Sequence, residues 1–200
     1  IGFSVHRLSR FLSAPTVAHL AQARRTLAYL RDTPTYGPTF GNDPSNLAGW
    51  CDADFGGCLD TRRSTTGYLY MFAGGPISWR SKIQHSVADS TAESEFRAIA
   101  KCGRHGEWLR DLFSDFDEKC LYPTPLHEDN EACAKWCRNP CDYQKQKHIH
   151  RDCLSIRESV QEFRHFDIVV VKTAAQISDC LTKALPPQLH RAAVKAIFKI

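Results

Sequence analysis

Asp52 and Asp54 lie two residues apart in a stretch bounded by Trp50 and Phe55 that has strand character. Side chains alternate across a strand, so both carboxylates face one side and Ala53 faces the other. Aspartate is a poor strand former. Two of them on one face read either as a solvated edge or as a site for a cation. Glu95 adds weight to the cation. On a helix opened by Ser90 it shares a stripe with Ala92, Ile99 and Cys102, the face that packs on a sheet, whereas Glu93 is free to cap the helix start. A carboxylate on a packed face needs a partner. Asp129 and Asp179 each carry a plainer alternative. Asp129 ends a strand and is placed to cap the following helix, and Asp179 precedes Lys183 by four residues, the spacing of a surface ion pair on a helix.

A competing signal comes from Cys133, Cys137 and Cys141 at four-residue intervals, followed by His148, His150 and Cys153, which together suggest zinc. Pro140 interrupts the helix that would align Cys141 with the other two, and the paired short gaps of structural zinc sites are missing. Buried free thiols account for these cysteines more simply.

The elements that must position these groups follow from periodicity and breakers. Pro15-Thr16 opens a helix over 16–31, with Val17, Leu20, Leu27 and Leu30 near one face and Arg24, Arg25 and Arg31 outside. Pro34 stops it, and the Pro-, Thr-, Gly- and Asn-rich stretch 32–46 reads as a linker. Strand character follows over 47–54, 67–73 and 77–82, with Tyr68, Tyr70 and Phe72 alternating against Leu69 and Met71, and with Gly74-Gly75-Pro76 punctuating a hairpin. Ser90 and Glu93 form a capping-box pattern before a helix to about Phe113. Then come a strand over 126–129, a short helix ended by Asn139-Pro140, a helix over 152–163 and a last strand over 168–171. Thr173 and Gln176 repeat the capping box, opening a helix with Ile177, Leu181 and Leu185 that stops at Pro186-Pro187.

That order predicts an α/β domain with a mixed sheet and helices on its faces. With the first strand central, the strand at Leu126 pairs parallel to it on the side away from the hairpin. Strand ends then diverge at a switch point, where ligand chemistry is expected. The chain has 200 residues, 42% hydrophobic and 24% charged, enough for one domain with a sizeable core. No run of about eighteen apolar residues suggests a membrane span. The start Ile-Gly-Phe reads as the interior of something longer. A net charge of +4 favours a phosphate partner only mildly. Nine cysteines, an odd number without an export signal, favour free thiols in a reducing compartment, cytoplasmic or nuclear.

Gly49-Trp-Cys-Asp-Ala-Asp-Phe-Gly-Gly-Cys-Leu-Asp-Thr-Arg-Arg-Ser-Thr-Thr-Gly-Tyr resembles the opening of the ribonuclease H of copia-type LTR retrotransposons. Gly75-Pro-Ile-Ser-Trp-Arg-Ser-Lys, Ser90-Thr-Ala-Glu-Ser-Glu-Phe, His127-Glu-Asp-Asn, Lys147-His-Ile and Ile177-Ser-Asp-Cys-Leu-Thr-Lys resemble its later blocks, in order. Cys51, Phe55 and Cys180 depart from the usual Ser, Trp and aliphatic residue, and His150 stands where the family usually has Asp.

The resemblance implies a ribonuclease H-like mixed five-stranded sheet with helices on both faces. It divides the chain into the C-terminal end of a reverse transcriptase region and linker over 1–45, a ribonuclease H domain over 46–187 and a C-terminal tail over 188–200. It implies an endonuclease that hydrolyses the RNA strand of an RNA/DNA hybrid during reverse transcription, in a cytoplasmic virus-like particle or the nucleus. Asp52, Glu95, Asp129 and Asp179 would be its catalytic acids and metal ligands, with Asp54 behind them.

Two Mg²⁺ ions, with Mn²⁺ as substitute, suit that chemistry. Held about 3.5 to 4 Å apart, they stabilise the entering and leaving oxygens of a phosphodiester hydrolysis. Hybrid recognition needs 2′-hydroxyl and phosphate contacts, for which Arg62, Arg63, Ser64, Thr65, Arg80, Lys82, Lys145, Lys147 and His148 are candidates. Partners are the hybrid and the reverse transcriptase region of the same polyprotein. The alternative is an inactive remnant that binds nucleic acid without cutting it. An integrase or transposase of the same broad fold class fits less well, since its last acid follows the fourth strand whereas Glu95 follows the third.

Overall fold

The computed structural model describes residues 1–41, 46–116, 120, 123–139 and 151–199, with only the backbone at 151–153. Two N-terminal helices, α1 (Gly2–Ser9) and α2 (Val17–Asp32), precede the sheet. Then follow β1 (Ala48–Asp54), β2 (Thr65–Phe72), β3 (Gly75–Ile83), α3 (Thr91–Asp115), β4 (Thr124–Glu128), α4 (Glu131–Arg138), α5 (Arg151–Gln161) and β5 (Phe166–Val170). Two 3₁₀ turns, Thr173–Ala175 and Ile177–Leu181, lead to α6 (Pro187–Phe198). The five strands lie in the order β3-β2-β1-β4-β5. β1, β2 and β3 are antiparallel, while β4 runs parallel to both β1 and β5. This is the α/β mixed sheet that the element order predicts, and β1 takes its centre.

The alternation along β2 explains why the sheet is covered on both sides. Tyr68, Tyr70 and Phe72 point to α3, where the Tyr70 hydroxyl donates to Cys102 O at 2.8 Å and Phe72 meets the Phe113 ring at 4.5 Å. Leu69 and Met71 point the other way, onto Leu181 and Ile197. Period-two alternation between two apolar clusters thus leaves β2 buried on both faces. The larger cluster, with Phe96, Ile99, Leu126, Ile156, Phe166 and Ile168, lies under α3, α4 and α5. Each such side chain taken out of water contributes about 1.5–3 kcal/mol. α3 comes close because Gly106 has no side chain: a Cβ there would sit 2.3 Å from the Tyr70 hydroxyl and 2.9 Å from the Phe166 ring.

Local chemistry sets the element ends. The β2–β3 hairpin turns on Ala73 and Gly74, both at positive φ, as a tight two-residue turn requires, while Gly75 and Pro76 already belong to β3. The Ser90 side chain accepts from Glu93 N at 3.1 Å, but the Glu93 carboxylate takes Asp89 N at 2.7 Å instead of closing the box on Ser90.

The C-terminal third departs most from expectation. In place of one helix over 173–185 behind a capping box, the chain forms the two short 3₁₀ turns, and neither has a side-chain cap. Gln176 has ψ near 90°, which breaks the run, because its amide is committed to the sheet. Pro186-Pro187 opens α6 rather than closing a helix, with proline at the first helical position where the missing N–H costs nothing. The stretch expected as a tail is thus a helix that buries Ala193, Val194 and Ile197.

At the other end, α1, which the periodicity does not announce, lies on β3, and His6 Nε2 accepts from Ile83 N at 3.0 Å. α2 is capped by Thr16 as expected. Its apolar residues Val17, Leu20, Leu27 and Leu30 face outward, Val17 at 84% exposure. No helix among the described residues is long and apolar enough to cross a membrane.

Candidate active site

β1 and β4 pair directly only at Gly49 with Leu126 and Trp50 with His127. Beyond these the strands part, leaving backbone carbonyls that need donors. The Gln176 side chain supplies them, donating to Cys51 O at 2.9 Å and to His127 O at 3.4 Å, with its own oxygen bound by the Ser178 hydroxyl at 2.7 Å. The second 3₁₀ turn is thereby fastened to the mouth of the gap.

The acids gather there. Asp52 is 2% exposed, and its Oδ2 accepts a hydrogen bond from the Thr182 hydroxyl. Gly67 permits this approach, since a Cβ on it would lie 2.6 Å from Thr182 Cγ2. Glu95 reaches in from α3, and its Oε2 accepts from Ala53 N at 2.6 Å. Asp129 follows β4. It is not the cap of α4: Asn130 is, its side chain accepting from Cys133 N at 3.0 Å, which leaves the Asp129 carboxylate to the cleft. Asp52, Glu95 and Asp129 each place an oxygen within 4.8 Å of the others. Among the described residues this is the only group of three or more Asp, Glu, His and Cys side chains so arranged. Asp179 lies outside that trio but beside Asp52. It forms the expected ion pair with Lys183, at 2.9 Å, yet it is also buried. Asp54 lines the same cleft of about 380 Å³.

So many carboxyls in one buried place resist ionising together. Burial first, and then the adjacent Asp179, push Asp52 up to about 7 against the pull of Lys183 and Thr182. Burial, then Glu128, Asp52 and Asp129, push Glu95 up to about 11, with the Ala53 N–H opposing. Burial lifts Glu128 to about 8 although Asn130 N–H opposes it. Between the unfolded carboxyl range near pH 4 and these raised values, the folded protein holds more protons than the unfolded chain. Stability then falls as pH rises. Thermal melting of metal-free protein should therefore show Tm dropping from pH 5 to pH 8, and millimolar Mg²⁺ should recover the loss at pH 8. A Tm that climbs over this range without metal would contradict the reading.

Three positions that sequence reasoning passes over matter here. From the sequence Gln176 reads as half of a cap and Lys183 as a surface partner, and Glu128 is not singled out. Glu128 is fully buried, its Oε1 accepting from Asn130 N at 3.0 Å and its Oε2 from the Cys51 thiol at 3.5 Å, so it ties β1 to the β4–α4 junction. The alternation of Leu126 and Glu128 on β4, which places Glu128 on the inward side, is the one signal that could have found it.

The basic and polar candidates separate. Arg62, Arg80 and Lys82 are exposed and Arg63 is half-buried. Ser64 and Thr65 turn inward, and the Ser64 hydroxyl, accepting from Gly56 N at 3.0 Å, is occupied in holding the β1–β2 loop. Lys145, Lys147 and His148 lie outside the described residues, as do Cys141 and His150 and the Cys153 side chain. Cys133 and Cys137 are fully buried in the larger core cluster. The seven cysteines with described side chains, at 51, 58, 102, 120, 133, 137 and 180, are free thiols.

The strand order and the acids at the parting of its parallel strands define a ribonuclease H-like domain with a candidate metal site. No family model matches the chain. It is 36% identical over 187 residues to the Retrovirus-related Pol polyprotein from transposon RE1 of Arabidopsis thaliana, a match covering 92% of this chain and 13% of that protein. Secreted RxLR effector protein 161 of Plasmopara viticola is 43% identical over 103 residues, covering 51% of this chain and 72% of that one. The solved structure of LC11-RNase H1, isolated from compost by a metagenomic approach, superposes with a TM-score of 0.48 at 11% identity, over 69% of this chain and 93% of that one. The chain belongs to the copia-type retrotransposon Pol polyproteins. It spans about 13% of the length of the first relatives it matches.

Proposed function

We propose that the sheet domain hydrolyses the RNA strand of an RNA/DNA hybrid with the help of divalent metal ions, as the ribonuclease H portion of a retrotransposon polyprotein. The observation that carries the reading is the convergence of Asp52, Glu95 and Asp129 within 4.8 Å, with Asp179 beside Asp52. The donor set is all carboxylate oxygen, the set that hard ions such as Mg²⁺ take. The raised values of Asp52 and Glu95 come from burial first and then from neighbouring carboxylates, more negative charge than Lys183 offsets. Asp52, Glu95 and Asp129 would hold one ion and Asp52 with Asp179 a second. Bound there, such ions supply an activated water and stabilise the departing oxygen.

The protein's own groups do the positioning. Gln176 fixes the gap between β1 and β4, Ala53 N–H holds Glu95, and Thr182 holds Asp52. Arg62, Arg63, Arg80 and Lys82 would meet phosphates of the hybrid. The reverse transcriptase region would be the covalent neighbour on the side of α1 and α2, with 46–187 as the nuclease.

The deciding experiment incubates the purified chain with a hybrid labelled on each strand in turn, with Mg²⁺ or with chelator. RNA fragments should form with Mg²⁺ alone, and the DNA strand and a DNA duplex should stay whole, because only RNA offers the 2′-hydroxyl. Tight hybrid binding with intact RNA in both Mg²⁺ and Mn²⁺ would establish a non-cutting binding module instead.

A further inference from the structure

The acidic cleft contains its own cation. Lys183 follows the second 3₁₀ turn, with its ammonium 2.9 Å from Asp179 Oδ1 and 3.8 Å from Asp52 Oδ2. These are carboxylates that the proposed function gives to metal. The residue before it is fixed, since Thr182 is fully buried and its hydroxyl donates to Asp52. The Lys183 side chain itself is 39% exposed and lines the cleft with Asp54, Thr173 and the three clustered acids. A flexible four-carbon stem on a fixed backbone can carry its charge between nearby positions.

We propose that Lys183 is a built-in counter-ion for the site. It holds Asp52 and Asp179 together in the metal-free protein, yields their oxygens when divalent ions bind, and then meets a phosphate oxygen of nucleic acid lying in the cleft. This rests on the metal-dependent reading. Two positive charges cannot share the same carboxylate oxygens without strong repulsion, and the exposed side of the cleft is where the released ammonium finds an anion. A fixed structural ion pair would make no such exchange. In that case Lys183 would stay on Asp179 whether or not metal is present.

Two measurements on the intact chain test this, with Lys183→Gln as the variant and Lys183→Arg as the control that keeps the charge. The first is Mn²⁺ titration without nucleic acid, read by electron paramagnetic resonance of free Mn²⁺. Lys183→Gln should bind roughly tenfold more tightly than the wild type, because the competing charge is gone. The second is hybrid affinity against salt, with Ca²⁺ and with chelator. In Ca²⁺ the slope of log affinity against log salt should shrink by about one in Lys183→Gln and not in Lys183→Arg, the signature of one lost phosphate contact. With chelator the slopes of variant and wild type should coincide, because there the ammonium is held by the acids.

Equal Mn²⁺ affinity in variant and wild type, or a slope change that is the same with and without Ca²⁺, would overturn the exchange. If the wild type binds no Mn²⁺ at millimolar concentration, the metal-dependent reading itself falls, and the counter-ion with it.

Discussion

Asp52→Asn and Asp129→Asn should each slow hybrid cleavage in Mg²⁺ by about 10³-fold or more while leaving the fold intact. A metal ion supplies several kcal/mol of transition-state stabilisation, and each 1.36 kcal/mol is a factor of ten. Neither substitution opens a cavity, since asparagine has nearly the shape of aspartate, and the amide that replaces the Asp52 carboxylate retains an oxygen for the Thr182 hydroxyl. What each removes is the negative charge of a proposed metal ligand. For Asp52 a second consequence follows. Its carboxyl is pushed up to about 7 by burial and by Asp179, so a neutral amide relieves a repulsion that the metal-free protein bears at pH 8. Asp52→Asn should then melt higher than the wild type without metal and lose most of the stabilisation that Mg²⁺ gives. Circular dichroism melting with and without Mg²⁺, beside gel assays of the labelled RNA strand, measures both. Either variant cleaving at the wild-type rate would remove that residue from the metal site.

Replacing Mg²⁺ by Ca²⁺ should preserve hybrid binding and abolish cutting. Ca²⁺ accepts six to eight oxygens at longer, less regular distances, so it can neutralise the acids without holding water and phosphate in line. The site is open enough for either ion, being a cleft and not a closed cage. Binding measured by fluorescence anisotropy should weaken steeply with salt in both ions, as phosphate contacts release counterions. Adding excess Mg²⁺ to the Ca²⁺ complex should restore RNA fragments within the same sample. Cutting at equal rates in the two ions would argue that the acids do not act by aligning the attacking water.

How far the site is legible depends on the range of the interactions involved. The two aspartates of β1 are readable as a pair because strand alternation is local, and Glu95 is separable from Glu93 because a helix has only one packed face. Both inferences need a handful of neighbouring residues and nothing else. The role of Asp179 is not readable from spacing. Its four-residue offset from Lys183 is satisfied in the structure, so the plain explanation is true and incomplete. Only its burial beside Asp52, 127 positions earlier in the numbering, brings it to the acid cluster.

The five strands and their succession along the chain are legible in the sequence, since hydrophobic alternation and turn residues act over a few positions, whereas the central place of β1 is settled by the pairing itself. The sequence also determined where α2 and α3 begin, through Thr16 and Ser90. The tertiary structure decided everything that depends on carbonyls left unpaired where parallel strands part. Gln176 is drawn into that gap, and the drawing-in breaks the expected helix over 173–185 into two 3₁₀ turns. With the helix broken, Thr182 and Lys183 come against Asp52, and Pro187 is free to start α6 over Leu69 and Met71. A local periodicity favours the longer helix, but buried backbone oxygens without donors cost more than the helical hydrogen bonds that were given up.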